Sequence, residues 1–436
     1  GKFTDKASYK VYYPGKNGTD NNVTIHATQN QAEPNSTAHF GVSGDCGTAD
    51  AARANNFHFT LDHQAAILVF QPYNSNAELN DCYLTKIEVT SDNNIAGTYT
   101  LDPTTGKLTG TGTGKDISIE TTGSGAYTKG FPLTNNATNL ATTGTYMLIQ
   151  PGEHKLKVRY WLKDYTSNVE GIVTKDLSNF DYKKNTYYDM AFNMSLKDYE
   201  TTYCHWDAKA DFWVGHKWNA ANPADRWQPV VATTNLSHRS ELANPPATSP
   251  RAANMSTTVL GVSCDAVNLC KDCPNVNELD WYTEKGDPRC DENILWTCMG
   301  HLRKGGFWFK KKAKIASDNG ITISDIENKA TDNRDWRITP NVGFFGRPMT
   351  NKTPPSTSEI NNYFFLPFLG GGACSSLDNT FDLAGFAWVW SSTAVSGNDA
   401  NAYALIIAKS YGTEPPKMSV SPWTRESNIM NVWKFE

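Results

Sequence analysis

Charge is scarce in this 436-residue chain: Asp, Glu, Lys and Arg together make up 19% of it. The balance leans acidic, with a net charge of −5, and a nucleic-acid partner would want a basic face. Nucleic acid is therefore set aside as a partner. Long apolar runs are missing as well, and none reaches the roughly 18–20 residues that a membrane-spanning helix needs. No leader segment is legible. Tryptophan is all but absent from the first half, where Trp161 stands alone and the other twelve of 13 follow residue 200. Seven of nine cysteines fall in the same later part. A chain this long exceeds what one hydrophobic core serves, and the shift in composition puts a boundary near Leu196–His205. Two domains are expected, 1–197 and 198–436. Asn, Thr, Gly and aromatic residues are abundant, a composition associated with extracellular β-rich proteins.

The first half also lacks any helix period of useful length. What it has is alternation. Tyr83, Thr85, Ile87 and Val89 fall on one face, with Lys86 and Glu88 opposite. Leu156, Val158, Tyr160 and Leu162 repeat the pattern, as do Tyr188, Met190, Phe192, Met194 and Leu196. A period of two marks strands with one buried face. The run from Ala65 to Phe70 is continuously apolar and reads as an interior strand. Turn signals at Asp102-Pro103, Thr105-Gly106 and Pro151-Gly152 separate the runs, which predicts a mainly β sandwich of two antiparallel sheets. His63 beside Asp62 reads either as a catalytic pair or as a structural histidine where a strand begins.

The second half opens irregularly. Trp206, Trp213, Trp218 and Trp227 sit among Pro, Asn and Asp, either to stack on sugar rings or to pack a loop onto its own domain. Cys264, Cys270, Cys273, Cys290 and Cys298 follow. Cys270-Lys271-Asp272-Cys273 has C-x-x-C spacing, and three readings stay open: disulfides or free structural thiols, a zinc site on Cys270, Cys273, Cys290 and Cys298 or His301, and redox chemistry. Pro274 to Tyr282 predicts a short helix capped by Asn275. Acidic Glu278, Asp280, Asp287, Asp291 and Glu292 offer either paired carboxylates or a solvated face. From Tyr363 to Thr393, aromatic strands around Gly370-Gly371-Gly372 are joined by a further strand from Ala402 to Ile407. These are expected to form one central sheet, with Trp388 and Trp390 on the same core-facing side. Asn431 to Glu436 reads as a last strand.

Two family resemblances complete the picture. Tyr12-Tyr13-Pro14, Ile25 with Gln29-Asn30-Gln31, and Phe57 through Phe70 resemble the fimbrillin family, the pilus subunits and tip proteins of Bacteroidales bacteria. Tyr146 to Pro151, Lys155 to Tyr160 and Asn185 continue the likeness, which covers residues 5–197. It implies a transthyretin-like β-sandwich from a surface lipoprotein precursor whose lipid-bearing cysteine is not in this chain. It further implies assembly with other pilus subunits, by removal of an N-terminal strand after a basic residue and addition of a partner's strand. Arg53, ahead of the strand at Phe57, is the processing position so implied; a surface arginine is the other reading.

From Pro274 onward the chain resembles the C-type-lectin-like domains of Bacteroidales surface lipoproteins. The matching pieces are Pro274 to Trp281, Trp296 with Gly300-His301-Leu302, Gly305 to Trp308, Asp335-Trp336-Arg337, Tyr363 to Gly372 and Trp388 to Thr393. This implies an α+β C-terminal domain. Such a fold houses sugar-binding lectins, formylglycine-generating enzymes and structural modules alike. Calcium-dependent lectins carry a Glu-Pro-Asn or Gln-Pro-Asp loop and a Trp-Asn-Asp strand. Here Glu414-Pro415-Pro416 lacks the amide and Trp388-Val389-Trp390 lacks the polar ligands, so no cofactor is expected, calcium being the one the fold would call for. Asn398, Asp399 and Asn401 are the ligand contacts chosen, because loops on rigid sheets carry recognition; an ordinary polar turn is the other reading. The expected function is a non-enzymatic fimbrial tip adhesin at the cell surface and outer membrane, binding a host or bacterial glycan or protein. The alternatives are a glycan-binding outer-membrane lipoprotein outside a pilus and a lectin-fold enzyme of the formylglycine-generating type.

Overall fold

The computed structural model describes residues 6–16, 18–53, 57–76, 79–340, 344–374, 379–383, 385–408 and 415–436, with backbone only at 344–346. The protein is mainly β, with 40% strand and 12% helix. It divides into two compact units, Gly1–Asp198 with Gly300–Leu302, and Tyr199–Met299 with Arg303–Glu436.

In the first unit, Leu156–Asp164 pairs antiparallel with both Cys82–Ser91 and Val169–Asp176. Leu156, Val158, Tyr160 and Leu162 are all buried, as their alternation predicts. The Cys82–Ser91 strand departs from the expected pattern. Its buried positions are Cys82, Leu84, Ile87, Val89 and Ser91, and the pairing register shifts between Trp161 and Leu162 so that Thr85 has no partner in that ladder. A β-bulge adds one residue and swaps the faces beyond it, which is why Tyr83 and Thr85 lie outside the core while Ile87 and Val89 lie in it. A second sheet places Ala66–Tyr73 between Thr145–Ile149, antiparallel, and Tyr187–Asn193, parallel. The apolar run is buried throughout, as an interior strand should be. Phe70 meets Tyr160 edge to face at 6.1 Å, and Tyr160 stacks on Phe192 at 4.9 Å. These rings join the two sheets face to face.

Thr145–Ile149 is bordered on its other edge by side chains. Its odd residues face Ala66–Tyr73. Its even ones meet two buried glutamines. Gln29 donates to Leu148 O (2.8 Å) and accepts from Leu148 N (3.0 Å). Gln31 donates to Gly144 O and accepts from Tyr146 N, both at 2.8 Å. A primary amide sets an N–H donor and an oxygen acceptor side by side, so each glutamine imitates one rung of a β-ladder.

In the second unit, the aromatic stretch contributes to two sheets, where the sequence predicts one. Tyr363–Pro367 pairs with His301–Lys310. Phe386–Ala394, Asn401–Ala408 and Lys417–Thr424 are successive neighbours in a larger sheet. Gly371–Cys374 is a strand of that sheet, beside Asn428–Asn431. Gly370 turns the chain at φ +70°, but Gly371 answers to a different demand: a Cβ there would lie 2.6 Å from Trp388 Cβ. The large sheet is covered on both faces. Ala387 and Val389 enter one core with Leu279, Phe364 and Leu405, while Trp390 enters the other with Trp206 and Met430. Trp388 packs partly against that second core, so it shares a side with Trp390 as its parity predicts. The last strand ends at Asn431, earlier than expected, because Trp433 and Phe435 pack against the core as an irregular tail.

The expected helix runs Val276–Lys285. Asn275 Oδ1 accepts from Glu278 N (3.1 Å) and Glu278 Oε2 accepts from Asn275 N (2.7 Å), a reciprocal capping box. Val276, Leu279 and Tyr282 bury the inner face.

Candidate ligand site

The residues selected in the sequence are used internally. Asp399 Oδ1 accepts from Thr258 N (2.6 Å) and Thr258 Oγ1 (2.8 Å). Those bonds, the Thr258 N–H foremost, hold its carboxyl below the usual range. Asn398 Oδ1 accepts from Ala400 N in a local turn. The carbonyls of Asn398 and Asn401 face a cation already in place. Arg425 is fully buried and donates to Asn401 O (3.1 Å), Asn254 O (3.0 Å), Ser256 O (3.2 Å) and Asn398 O (3.5 Å). Its guanidinium lies 4.6 Å from the Trp206 ring centre. Calcium wants six to eight oxygens, and here the carbonyl oxygens serve Arg425 instead. The loop does not fit that ion. Glu414 lies outside the described residues.

The other candidates separate likewise. Cys270 and Cys273 belong to one core and Cys290 and Cys298 to the other, so the zinc quartet does not assemble. His301 is engaged at Nδ1 by Asp164 (3.1 Å). No group of three or more His, Cys, Asp or Glu suited to a metal occurs among the described residues. Asp280 accepts from Thr331 N and Oγ1, both at 2.7 Å, and Glu278 caps its helix. His63 pairs with Asp45 (2.7 Å), not with Asp62, and that hydrogen bond raises its pKa. Arg53 ends the Gly47–Arg53 strand, exposed, opposite Phe57 in a hairpin. Among the tryptophans, Trp206 and Trp213 are buried. Trp227 is sandwiched between His216 at 3.4 Å and His238 at 4.0 Å, both rings nearly parallel to it.

A cleft of the second unit begins where the short Tyr203–Cys204 strand ends. That strand pairs with Asn428–Asn431, which delivers His205 next to Asn428. The cleft has a volume of about 510 Å³, within the usual range for small-ligand sites, and its lining includes His205, Asp207, Lys209, Asn254, Asn268 and Glu426. Asp207 organises the wall. It adopts φ +50°, a conformation Asp tolerates. Its Oδ1 accepts from Asn268 N (2.8 Å) and Cys270 N (3.1 Å), and its Oδ2 from Asn254 Nδ2 (2.8 Å) and Val267 N (2.9 Å). One buried carboxyl thus draws segments 254 and 267–270 together.

His205 supplies the reactive feature. It is 1% exposed, and burial pushes its pKa down to about 4, so the ring is neutral at pH 7. Nδ1 lies 3.3 Å from Asn428 O. A carbonyl only accepts, so Nδ1 carries the proton and Nε2 is left with a bare lone pair. Nε2 has no hydrogen-bond partner. Buried polar atoms are almost always paired, so this orphaned acceptor, on a residue that lines the cleft, is an exception. No spacing pattern marks this histidine: it stands in Tyr203-Cys204-His205-Trp206-Asp207, and only the density of chemical groups in that run singles it out. A second depression, about 570 Å³, includes Thr233, Thr380, Phe381, Phe386 and Trp388 in its lining.

No protein-family model matches the chain, and no curated protein matches it. Among solved structures it is similar to a candidate cell adhesion protein of Bacteroides ovatus, at 13% identity and a TM-score of 0.26, over 43% of this chain and 62% of that one. A candidate cell adhesion protein of Bacteroides fragilis overlaps at 15% identity and a TM-score of 0.22, over 33% of this chain and 46% of the other. One from Bacteroides uniformis overlaps at 14% and 0.24, over 43% and 67%. The chain therefore spans less than two thirds of the length of the first two. Overlaps at these scores carry no argument about fold or activity.

Proposed function

We propose that the protein is a cell-surface adhesin of the fimbrial tip type, and that its second unit binds a glycan in the His205 cleft without a metal. The observation that carries this reading is the unpartnered, neutral Nε2 of a buried histidine lining a cleft of ligand size. A sugar hydroxyl is a donor of matching size. The likeness of 5–197 to fimbrillins and of the later chain to C-type-lectin-like domains supports the same division of labour, with a transthyretin-like sandwich for assembly and a lectin-like unit for adhesion. For assembly, the glutamine-blocked edge of Thr145–Ile149 is the place a partner's strand would pair. Gln29 and Gln31 both precede Arg53, so a cut there would release them together with the strand Ser8–Tyr13.

The test is a glycan array probed with the full chain, with and without EDTA, beside His205→Leu checked for folding by near-ultraviolet circular dichroism. The reading expects binding that EDTA leaves intact and that His205→Leu abolishes. Absence of binding to every glycan, or equal binding by a folded His205→Leu chain, overturns it.

A further inference from the structure

The six-stranded sheet of the first unit ends on an open edge. Val169–Asp176 is eight residues long and pairs with Leu156–Asp164 on one side, and among the described residues no strand pairs with its other side. A long unpaired strand offers a row of N–H and C=O groups to another chain. Proteins commonly guard such an edge with charged side chains, but the charges here are turned back on their own unit. Glu170 pairs with Lys163, Asp176 lies 3.6 Å from Lys157, and the Lys175 ammonium sits 5.2 Å from the Phe192 ring centre.

The face of this sheet that points away from the core adds a second observation. Trp161 stands opposite Ile172 on one side and Lys86 on the other, and the Lys86 ammonium caps the indole at 3.9 Å. Lys86, Trp161 and Ile172 thus form a row that runs across the sheet to its rim, where Ile172 is left 40% exposed. The charge of that row lies on an interior strand and its aliphatic end at the rim, the reverse of a guarded edge.

We propose that two copies of the chain pair edge to edge through Val169–Asp176, antiparallel, about a two-fold axis at Ile172. An axis normal to the sheet keeps each face on its own side, so residues stand opposite partners of the same parity, and the register is set by which residue meets its own copy. With Ile172 on the axis, the two rows join through a pair of isoleucines. Glu170 then faces the partner's Thr174, Val169 the partner's Lys175 and Gly171 the partner's Val173, and no like charges are opposed. An axis at Val173 sets Glu170 against the partner's Asp176, and one at Gly171 sets Ile172 against the partner's Glu170; both are the poorer pairings. The association does not depend on what the His205 cleft binds.

The test is sedimentation velocity of the full chain over a concentration series, joined to cross-linking of single-cysteine additions. Edge pairing predicts a monomer–dimer equilibrium, and Ile172→Lys, which opposes two ammonium groups across the axis, raises its dissociation constant on the order of tenfold. Directly opposed residues have Cα atoms about 4.5–5.5 Å apart, within reach of a disulfide. Ile172→Cys therefore gives a covalent dimer on a non-reducing gel after treatment with oxidised glutathione. Thr174→Cys, which faces the partner's Glu170, stays monomeric on that gel, as does the wild type. A chain that is monomeric at every concentration overturns the proposal and leaves the edge to a strand of another protein. A dimer that Ile172→Lys leaves intact, or one that Thr174→Cys links as well as Ile172→Cys does, overturns it too.

Discussion

His205 and Arg425 show how one side chain decides what a surface can do. A neutral buried histidine makes folding sensitive to acid. Its pKa is about 4 when folded against an ordinary 6.5, so between those values the unfolded chain binds the extra proton and stability rises with pH. The contribution is fully present above pH 6.5 and is lost as the pH falls toward 4, to an extent of about 3 kcal/mol. His205→Gln removes the titrating group. Melting temperatures from pH 7 down to 4 are expected to fall less steeply for that variant than for the wild type, and parallel slopes would show that the ring is not held neutral. Arg425 makes the opposite case, a permanent charge spread over four carbonyls and an indole face. Arg425→Lys cannot span that fork, and chemical denaturation is expected to show a loss of about 3 kcal/mol. EDTA is expected to leave the wild-type melting temperature unchanged, since the guanidinium holds the oxygens that calcium would want.

At the scale of elements, the glutamine-blocked edge carries the clearest mechanical expectation. Gln29→Ala with Gln31→Ala leaves the Tyr146 N–H and both backbone groups of Leu148 without partners in a buried setting. A loss of about 3–5 kcal/mol in denaturant midpoint analysis is expected. A loss under 1 kcal/mol would mean that the edge finds water or another strand unaided. The elements themselves were largely readable. Asn275 followed three residues later by Glu278 announces a capped helix because the capping chemistry is local, and Ala65 to Phe70 announces an interior strand because continuous apolarity has few other uses. The Cys82–Ser91 strand misleads for an equally physical reason, since a bulge at Thr85 reverses the faces and leaves no mark in a simple period of two. Gly371 stands where a Cβ would meet Trp388. That demand comes from a distant residue and has no local signature.

At the scale of the whole molecule, the composition break near residue 200 is plain in the sequence, and the two halves carry different chemistry. The site was far less legible. Asn398, Asp399 and Asn401 look like an open polar loop until Thr258 and Arg425 are seen to occupy them. His205 looks ordinary until its orphaned nitrogen and its cleft are known. Both depend on contacts between residues far apart in the chain, which no spacing records. The central claim is that a neutral His205 presents a bare Nε2 to a hydroxyl-bearing ligand. Its most direct test is long-range nitrogen–proton NMR of the full chain, labelled at histidine nitrogen, at pH 7. Spectra are recorded before and after a mixture of methyl glycosides of mannose, galactose, glucose, fucose and N-acetylglucosamine is added. The account predicts a His205 ring protonated at Nδ1 alone, with an Nε2 resonance that moves upfield on addition of a glycoside. An imidazolium, a ring protonated at Nε2, or an Nε2 resonance unmoved by every glycoside would contradict it.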